Sequence, residues 1–266
     1  MKGCEFMGVL GFLEVFNLRD ERLPENLQEK VIRVWLPENY DKNNRYPVIY
    51  MHDGQNLFDS YTSYAGEWEV DETIEDFIVS NPDFKGAIVV GIDNSSFDRI
   101  SEYTYNLNFL KGEKLGKVYM DFIVDILKPY IDTNYSTKPE RKYTSLAGSS
   151  MGGLIAFFGG LENLKTFGSL LCFSTSTQFI ENYEYNLPIY LAGLDKRRLK
   201  STNFYFYVGT DDDGDINWPS NFKTYLLNNN VPFEKICTEI GYGFYHNELA
   251  WKIHFKKALK WLYNLK

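Results

Sequence analysis

Ser150 stands at the centre of Gly148-Ser149-Ser150-Met151-Gly152-Gly153, a G-x-S-x-G run. A serine hydroxyl is a weak nucleophile until a base takes its proton. To reach a carbonyl carbon it must also sit on a sharp strand-to-helix turn that lifts the hydroxyl over a sheet. Side chains two residues before and after would collide in such a turn, which is why Gly148 and Gly152 suit it. The residues before it, Tyr143–Ala147, read as a strand, and Leu154-Ile155-Ala156-Phe157-Phe158 after it read as the start of a helix. The five-residue pattern alone is a weak signal, and this context is what strengthens it. A helix beginning under the nucleophile also turns free N–H groups toward a developing oxyanion. Ser149 is out of phase with the turn and reads as a packing residue.

The chain has three histidines, His52, His246 and His254. His254 lies between Ile253 and Phe255 in a helical pattern and reads as a packed or surface residue. His52 ends a strand ahead of the nucleophile and reads as a loop or structural residue. His246 follows the last strand, after a loop read as Gly241-Tyr242-Gly243-Phe244-Tyr245, and opens the last helix. It is the expected base. A base of this kind needs a carboxylate to hold its tautomer and stabilise its charge. The strand Asn203–Val208 runs into Gly209-Thr210-Asp211-Asp212-Asp213-Gly214-Asp215. An acid there gives the chain order Ser, Asp, His, but spacing alone does not choose among these aspartates. Their alternation also brings a calcium loop to mind. Ile216 and Phe222 stand where such a loop needs glycine and glutamate, which argues against it.

Two backbone donors are needed to hold the oxyanion. Met151, next after the nucleophile, supplies one. The other is expected from the turn Asp53-Gly54-Gln55-Asn56 that follows the strand Pro47–His52, with the Gln55 N–H as donor and Gly54 allowing the turn.

The elements that must position these groups are legible as hydrophobic patterns. Eight segments read as strands: Phe12–Leu18, Val31–Leu36, Pro47–His52, Ala87–Ile92, Tyr143–Ala147, Ser169–Phe173, Asn203–Val208 and Phe233–Ile240. Several are unbroken apolar runs, as expected of strands covered on both faces. Helical spacing joins Val118, Phe122, Ile123, Ile126, Leu127 and Tyr130, and again Trp251, Phe255, Ala258, Leu259 and Leu262. Strand and helix alternate from Pro47 onward. That predicts an α/β architecture, a mostly parallel eight-stranded sheet with helices on both faces, and a site beyond the C-terminal strand ends. No repeat or linker divides the 266 residues, so one domain, 1–266, is expected.

Composition removes other classes. With 28 Lys+Arg against 36 Asp+Glu the net charge is −8, and the isoelectric point is near 5.1, which argues against a nucleic-acid binder. Nowhere do 18 apolar residues run together, so no membrane span is expected. Cys4, Cys172 and Cys237 are spaced for neither zinc nor redox chemistry and suit a reducing compartment. The apolar stretch from Met7 to Phe16 is broken by Glu14, and no small-residue cleavage site follows it. A cytoplasmic location is the expectation.

These residues carry a resemblance. Tyr46-Pro47-Val48-Ile49-Tyr50 leading into Asp53-Gly54-Gln55-Asn56-Leu57-Phe58, Gly91-Ile92-Asp93-Asn94 with Arg99 and Glu102-Tyr103, the Ser150 run, and Tyr245-His246-Asn247-Glu248 with Trp251 resemble the putative esterase family of the α/β-hydrolases. That family includes enterochelin esterases, feruloyl and acetyl-xylan esterases and S-formylglutathione hydrolases, although the cysteine-containing oxyanion loop of the last group is missing after His52. The resemblance spans about residues 30 to 262. It implies the α/β-hydrolase fold and a serine esterase working without metal or organic cofactor. It also selects Asp212 as the acid, with Asp211 as the rival, and reads Arg99 and Glu102 as a structural pair. The substrate expected is a small acyl, aryl or sugar ester. Trp68 and Trp218, read as loop residues, are the expected pocket aromatics, with Tyr61, Tyr64, Tyr242 and Tyr245 nearby. An acyltransferase using the same acyl-enzyme and a non-catalytic binding protein are the other classes consistent with the fold.

Overall fold

The computed structural model describes residues 8–266; Cys4 lies outside them. The elements in chain order are β1 (Phe12–Arg19), β2 (Glu29–Leu36), β3 (Val48–His52), α1 (Val70–Ser80), β4 (Ile88–Ile92), α2 (Arg99–Glu102), α3 (Gly116–Phe122), a π-helical segment (Ile123–Leu127), α4 (Lys128–Asn134), β5 (Thr144–Ser149), α5 (Met151–Glu162), β6 (Ser169–Phe173), α6 (Tyr183–Gly193), α7 (Lys196–Lys200), β7 (Asn203–Asp211), α8 (Trp218–Asn228), β8 (Ile236–Tyr245) and α9 (Glu248–Tyr263). The eight strands form one sheet in the order β1-β2-β4-β3-β5-β6-β7-β8. The β1–β2 and β2–β4 pairs are antiparallel, and β4-β3-β5-β6-β7-β8 run parallel. This is the α/β-hydrolase arrangement.

The apolar strand runs are explained by two buried faces. Val48, Tyr50, Leu146, Leu170, Phe204 and Phe206 face one core with Phe122, Leu127, Ile131, Leu154, Phe158 and Phe222. Ile49, Met51, Ala147, Leu171, Tyr205 and Tyr207 face the other with Val70, Ile74, Trp251, Phe255 and Leu259. Successive strand residues point to opposite faces, so a strand sandwiched between helix layers has no polar positions to alternate. α5 enters this interior with every residue from Met151 to Leu161 buried. Cys172 and Cys237 are free thiols. Among the described residues no helix is long and apolar enough to cross a membrane.

Three local readings change. β8 starts at Ile236, because Phe233–Lys235 form a 3₁₀ turn after Pro232. It then continues through the glycine-containing run read as a loop. A register shift between Gly209 and Asp211 brings Asp211 opposite Tyr245, and Gly243 adopts φ 75°. Ile126 and Tyr130, expected on the apolar helix face, are 38% and 37% exposed. The π-helical turn Ile123–Leu127, which contains Ile126 and precedes Tyr130, is wider than an α-helical turn and rotates the face. It lies just ahead of Pro129, which has no N–H to return to the preceding turn.

Candidate active site

β5 ends at Ser149, and Ser150 turns the chain into α5 with φ 57° and ψ −123°. A left-handed conformation at a non-glycine residue is costly and persists only where its surroundings hold it. Here the Ser150 N–H donates to the Phe173 carbonyl at 2.9 Å, and its carbonyl accepts from Leu154 at 3.1 Å and Ser176 at 3.2 Å. The flanking glycines are required by space. A Cβ on Gly148 would lie 2.5 Å from the Gly152 carbonyl oxygen, and one on Gly152 would lie 3.1 Å from Asp53 Oδ2. Ser149 is buried, as expected of a packing residue.

Asp212 and His246 meet. Oδ1 of Asp212 lies 2.8 Å from Nδ1 of His246, with the aspartate side chain 2% exposed and the imidazole 29% exposed. Oδ1 also accepts the Gly214 N–H at 3.2 Å. Burial pushes the Asp212 carboxyl up, but hydrogen bonding from His246 and Ser174 outweighs it and leaves the pKa below the usual value. Asp211 is exposed and takes only the Thr210 hydroxyl, at 3.2 Å. Of Asp212 and its rival Asp211, the geometry pairs Asp212 with the histidine.

No hydrogen bond joins Ser150 to His246 among the described residues. The Ser150 hydroxyl lies 3.3 Å from Ser176 Oγ. The two residues are linked through shared neighbours. The His246 ring meets the Trp251 ring edge-on, with centroids 5.1 Å apart. Trp251 Nε1 donates to Ser174 Oγ at 2.9 Å, and Ser174 follows the Phe173 carbonyl that takes the Ser150 N–H.

The Met151 and Gln55 N–H groups have no acceptor among the described residues. Gln55 sits in a 3₁₀ turn, Gly54–Asn56, directly after β3. The strain of that turn falls on Asp53, at φ 58°, and not on Gly54 as expected. Gly54 is needed because a Cβ there would come 2.7 Å from the Gly91 backbone carbon. Asp53 is held firmly. Arg99 donates to both its oxygens at 2.7 and 2.8 Å, Asn94 Nδ2 donates at 2.7 Å, and the Asp53 N–H donates to the Tyr103 hydroxyl at 3.1 Å. Burial raises the Asp53 carboxyl, but Arg99 and Asn94 outweigh that and keep it below the usual carboxylate range.

Arg99 and Glu102 therefore do not pair with each other. Glu102 is buried with Lys30, and its other oxygen accepts the Ser95 hydroxyl at 2.6 Å. Trp68 and Trp218 are not pocket residues either, at 3% and 1% exposed. Trp68 packs on Phe173, Trp251 and Phe255, and Trp218 begins α8 against Phe206 and Phe222. An indole in a loop sequence is still a large apolar surface, and here the core takes it. His52 is buried with Nδ1 2.8 Å from the Tyr119 hydroxyl, and burial first of all lowers its pKa to about 3. The structural reading of His52 stands.

Sequence reasoning missed the hydroxyl run Ser174-Thr175-Ser176-Thr177 and the Asp53–Arg99 clamp. The run follows the C-terminal end of β6, next to the nucleophile's strand, and that position was the available signal. A cavity of about 400 Å³ is lined by Ser60, Gly66, Glu67, Asn247, Leu249 and Lys252, among others. Asn247 is next in sequence to His246, but none of Ser150, Asp212 and His246 lines this cavity.

The model of a family described as Putative esterase matches residues 26–262. An uncharacterised protein, YbbA, from Bacillus subtilis (strain 168) is 20% identical over 86% of this chain and 91% of its own length. An endo-1,4-β-xylanase/feruloyl esterase from Xylanibacter ruminicola is 31% identical over 51% of this chain and 18% of its own length. Among solved structures, a ferulic acid esterase superposes with a TM-score of 0.69 at 19% identity, over 96% of this chain and 98% of that one. The enterobactin esterase FES from Shigella flexneri gives 0.72 at 16% identity, over 97% of this chain and 61% of that one. The structural likenesses carry the fold, and the family match carries the class: the chain belongs to the putative esterase family and is a carboxylic ester hydrolase.

Proposed function

We propose that the chain, as one domain, cleaves its ester through an acyl-enzyme on Ser150. His246 takes the hydroxyl proton as Oγ attacks the ester carbonyl carbon. The Met151 and Gln55 N–H groups receive the oxyanion that forms. The intermediate collapses with loss of the alcohol, which takes the proton from His246. Water then gives a proton to His246, attacks the acyl carbon and releases the acid with Ser150 restored. Asp212 holds the imidazole with Nε2 free for Ser150 and stabilises the imidazolium. For the first transfer Ser150 Oγ must leave Ser176, 3.3 Å away, and meet His246. Catalytic hydrogen bonds in ligand-free enzymes commonly tighten only when substrate is bound.

The observation that carries this reading is Ser150 at φ 57° between β5 and α5, a strained conformation at a strand-to-helix turn at the C-terminal end of its strand. The His246–Asp212 contact of 2.8 Å supports it.

For substrate, Tyr61, Tyr64, Tyr242 and Tyr245 are 89%, 93%, 83% and 61% exposed. Tyr61 and Tyr64 share the loop that supplies Ser60 and Gly66 to the cavity. Exposed rings of this kind stack on aryl groups or sugar faces. Together with the ferulic acid esterase among the similar structures, they make an aryl acyl ester the leading choice, ahead of small acyl and acetyl-sugar esters. Hydrolysis of p-nitrophenyl acetate and butyrate, followed by methyl ferulate, tests both points beside Ser150→Ala. Turnover and fluorophosphonate labelling should both vanish with the hydroxyl. A Ser150→Ala protein with wild-type turnover would disprove the mechanism.

A further inference from the structure

The loop that leaves the Gln55 turn ends at Glu67-Trp68-Glu69 and enters α1, whose first turn carries Asp71 and Glu72. Glu67, Asp71 and Glu72 each place a carboxylate oxygen within 4.8 Å of the other two. Asp71 is fully buried. One of its oxygens accepts the Leu10 N–H at 2.8 Å. Its Oδ1, and Glu72 Oε2, are buried with no partner among the described residues. Lys252 stands by the same cavity but is tied to Glu69 at 2.7 Å. Burial first, then Glu72, Glu69 and Asp59, push Glu67 up to about 7 against the pull of Lys252. Burial first, then a hydrogen bond to Glu72 and the Glu72 charge, push Asp71 up to about 8: without a cation the two bare oxygens can meet only by sharing a proton. The helix N-terminus eases the charge on Asp71 and Glu72 but supplies nothing to the two bare oxygens. Buried carboxylate oxygens are normally paired or bound to a metal, and the ester chemistry uses none of these three residues.

We propose that Glu67, Asp71 and Glu72 form a binding site for a hard divalent cation of the calcium type. The donor set is all carboxylate oxygen, which suits calcium and magnesium over zinc or copper. The three oxygens lie within 4.8 Å of one another, close enough to share one ion, and three carboxylates exceed the one or two that usually hold magnesium, so the set suits the larger ion. Calcium needs about six to eight oxygens. Glu67 also lines the open cavity with Ser60, Gly66 and Glu69, which lets water complete the shell. The ion ties three parts of the chain together: the loop after the Gln55 turn, α1, and the segment at Leu10 that leads into β1. Its role is structural and lies outside the ester chemistry.

The test uses the full chain, freed of metal with EDTA. Calcium chloride should give a saturable heat in titration calorimetry. At 100 times its dissociation constant it should raise Tm by about 5 °C, with magnesium weaker. Asp71→Asn keeps an acceptor for the Leu10 N–H, and Glu67→Gln changes a cavity-wall residue. Each should lose at least about tenfold in calcium affinity, and the Tm shift with it. The proposal is overturned if wild type shows no heat and the same Tm in calcium, magnesium and EDTA. It is overturned equally if magnesium alone shifts Tm, or if both variants respond like wild type. Should Asp71→Asn fail to fold, Glu67→Gln decides the matter.

Discussion

Two histidine–carboxylate pairs lie between the last two strands and the last helix, and they behave differently. His246 touches Asp212 at 2.8 Å at the C-terminal end of the sheet, with its ring 29% exposed. His254 lies 3.2 Å from Glu239 in the middle of the layer and is fully buried. Its ring stacks on Tyr207 with centroids 3.8 Å apart and meets the edge of Phe244. Glu239 is shared with the Tyr205 hydroxyl at 2.5 Å and with Lys257. The pairing motif is the same, but only one ring keeps an edge toward solvent where a substrate can arrive. A carboxylate beside an imidazole is therefore no sign of chemistry by itself. Position relative to the strand ends, and access to one ring nitrogen, decide whether the pair serves chemistry or packing.

The largest effects should come from breaking the outer pair and its nucleophile. Ser150→Ala and His246→Ala should each lower kcat on p-nitrophenyl acetate by about 10⁵- to 10⁶-fold with the fold intact. His254→Phe should leave kcat within about twofold. The reverse pattern would invert the assignment of the two histidines. Next in size, Asp212→Asn should cost about 10⁴-fold in kcat through loss of the correct tautomer. The neighbouring Asp211→Asn should cost almost nothing, and steady-state kinetics on the two variants will separate them.

A smaller loss sharpens the contrast between a group that reacts and one that positions. Asp53→Asn removes half of the Arg99 clamp, loosens the Gln55 turn, and should lower kcat about 10- to 100-fold with KM nearly unchanged. The smallest catalytic effect belongs to the inner pair. Burial raises the Glu239 carboxyl, but His254, Lys257 and Tyr205 outweigh this and bring it down to about 2. A depressed carboxylate stabilises the fold above its ordinary pKa of 4.5 and loses that contribution as pH falls toward 2. Glu239→Gln should therefore unfold on the order of 2–3 kcal/mol more easily at pH 7 in urea. That gap should close on acidification, and turnover should stay at the wild-type level. A variant equally destabilised at pH 3 would show that packing, and not charge, supplies the effect.

Much of the fold was legible because the sheet is covered on both sides. Val48-Ile49-Tyr50-Met51 and Ile88-Val89-Val90 leave no other use for such runs. The readings that failed are those in which a residue's own type competes with its surroundings. Gly241-Tyr242-Gly243-Phe244-Tyr245 looks like a loop because of its glycines, yet pairing with β7 carries it as strand. Trp68 and Trp218 look like pocket aromatics because they lie in long loops after strand ends, yet the core takes both rings. Arg99 and Glu102 lie one helical turn apart, but each has a partner brought from another strand: Asp53 after β3 for the first, Lys30 on β2 for the second.

The sequence by itself determined the order of elements, the elbow at Ser150 and the histidine that stands directly after the last strand. These rest on local patterns, namely apolar periodicity, glycines where a Cβ cannot fit, and chain order. Only the tertiary structure decided that Asp212 and not Asp211 meets His246, that Asp53 bears the strain of its turn, and that three acids crowd at the start of α1. Neighbouring carboxylates are chemically equivalent in sequence. They become different when the chain places one against an imidazole, one in solvent, and others where burial leaves their charge without a partner.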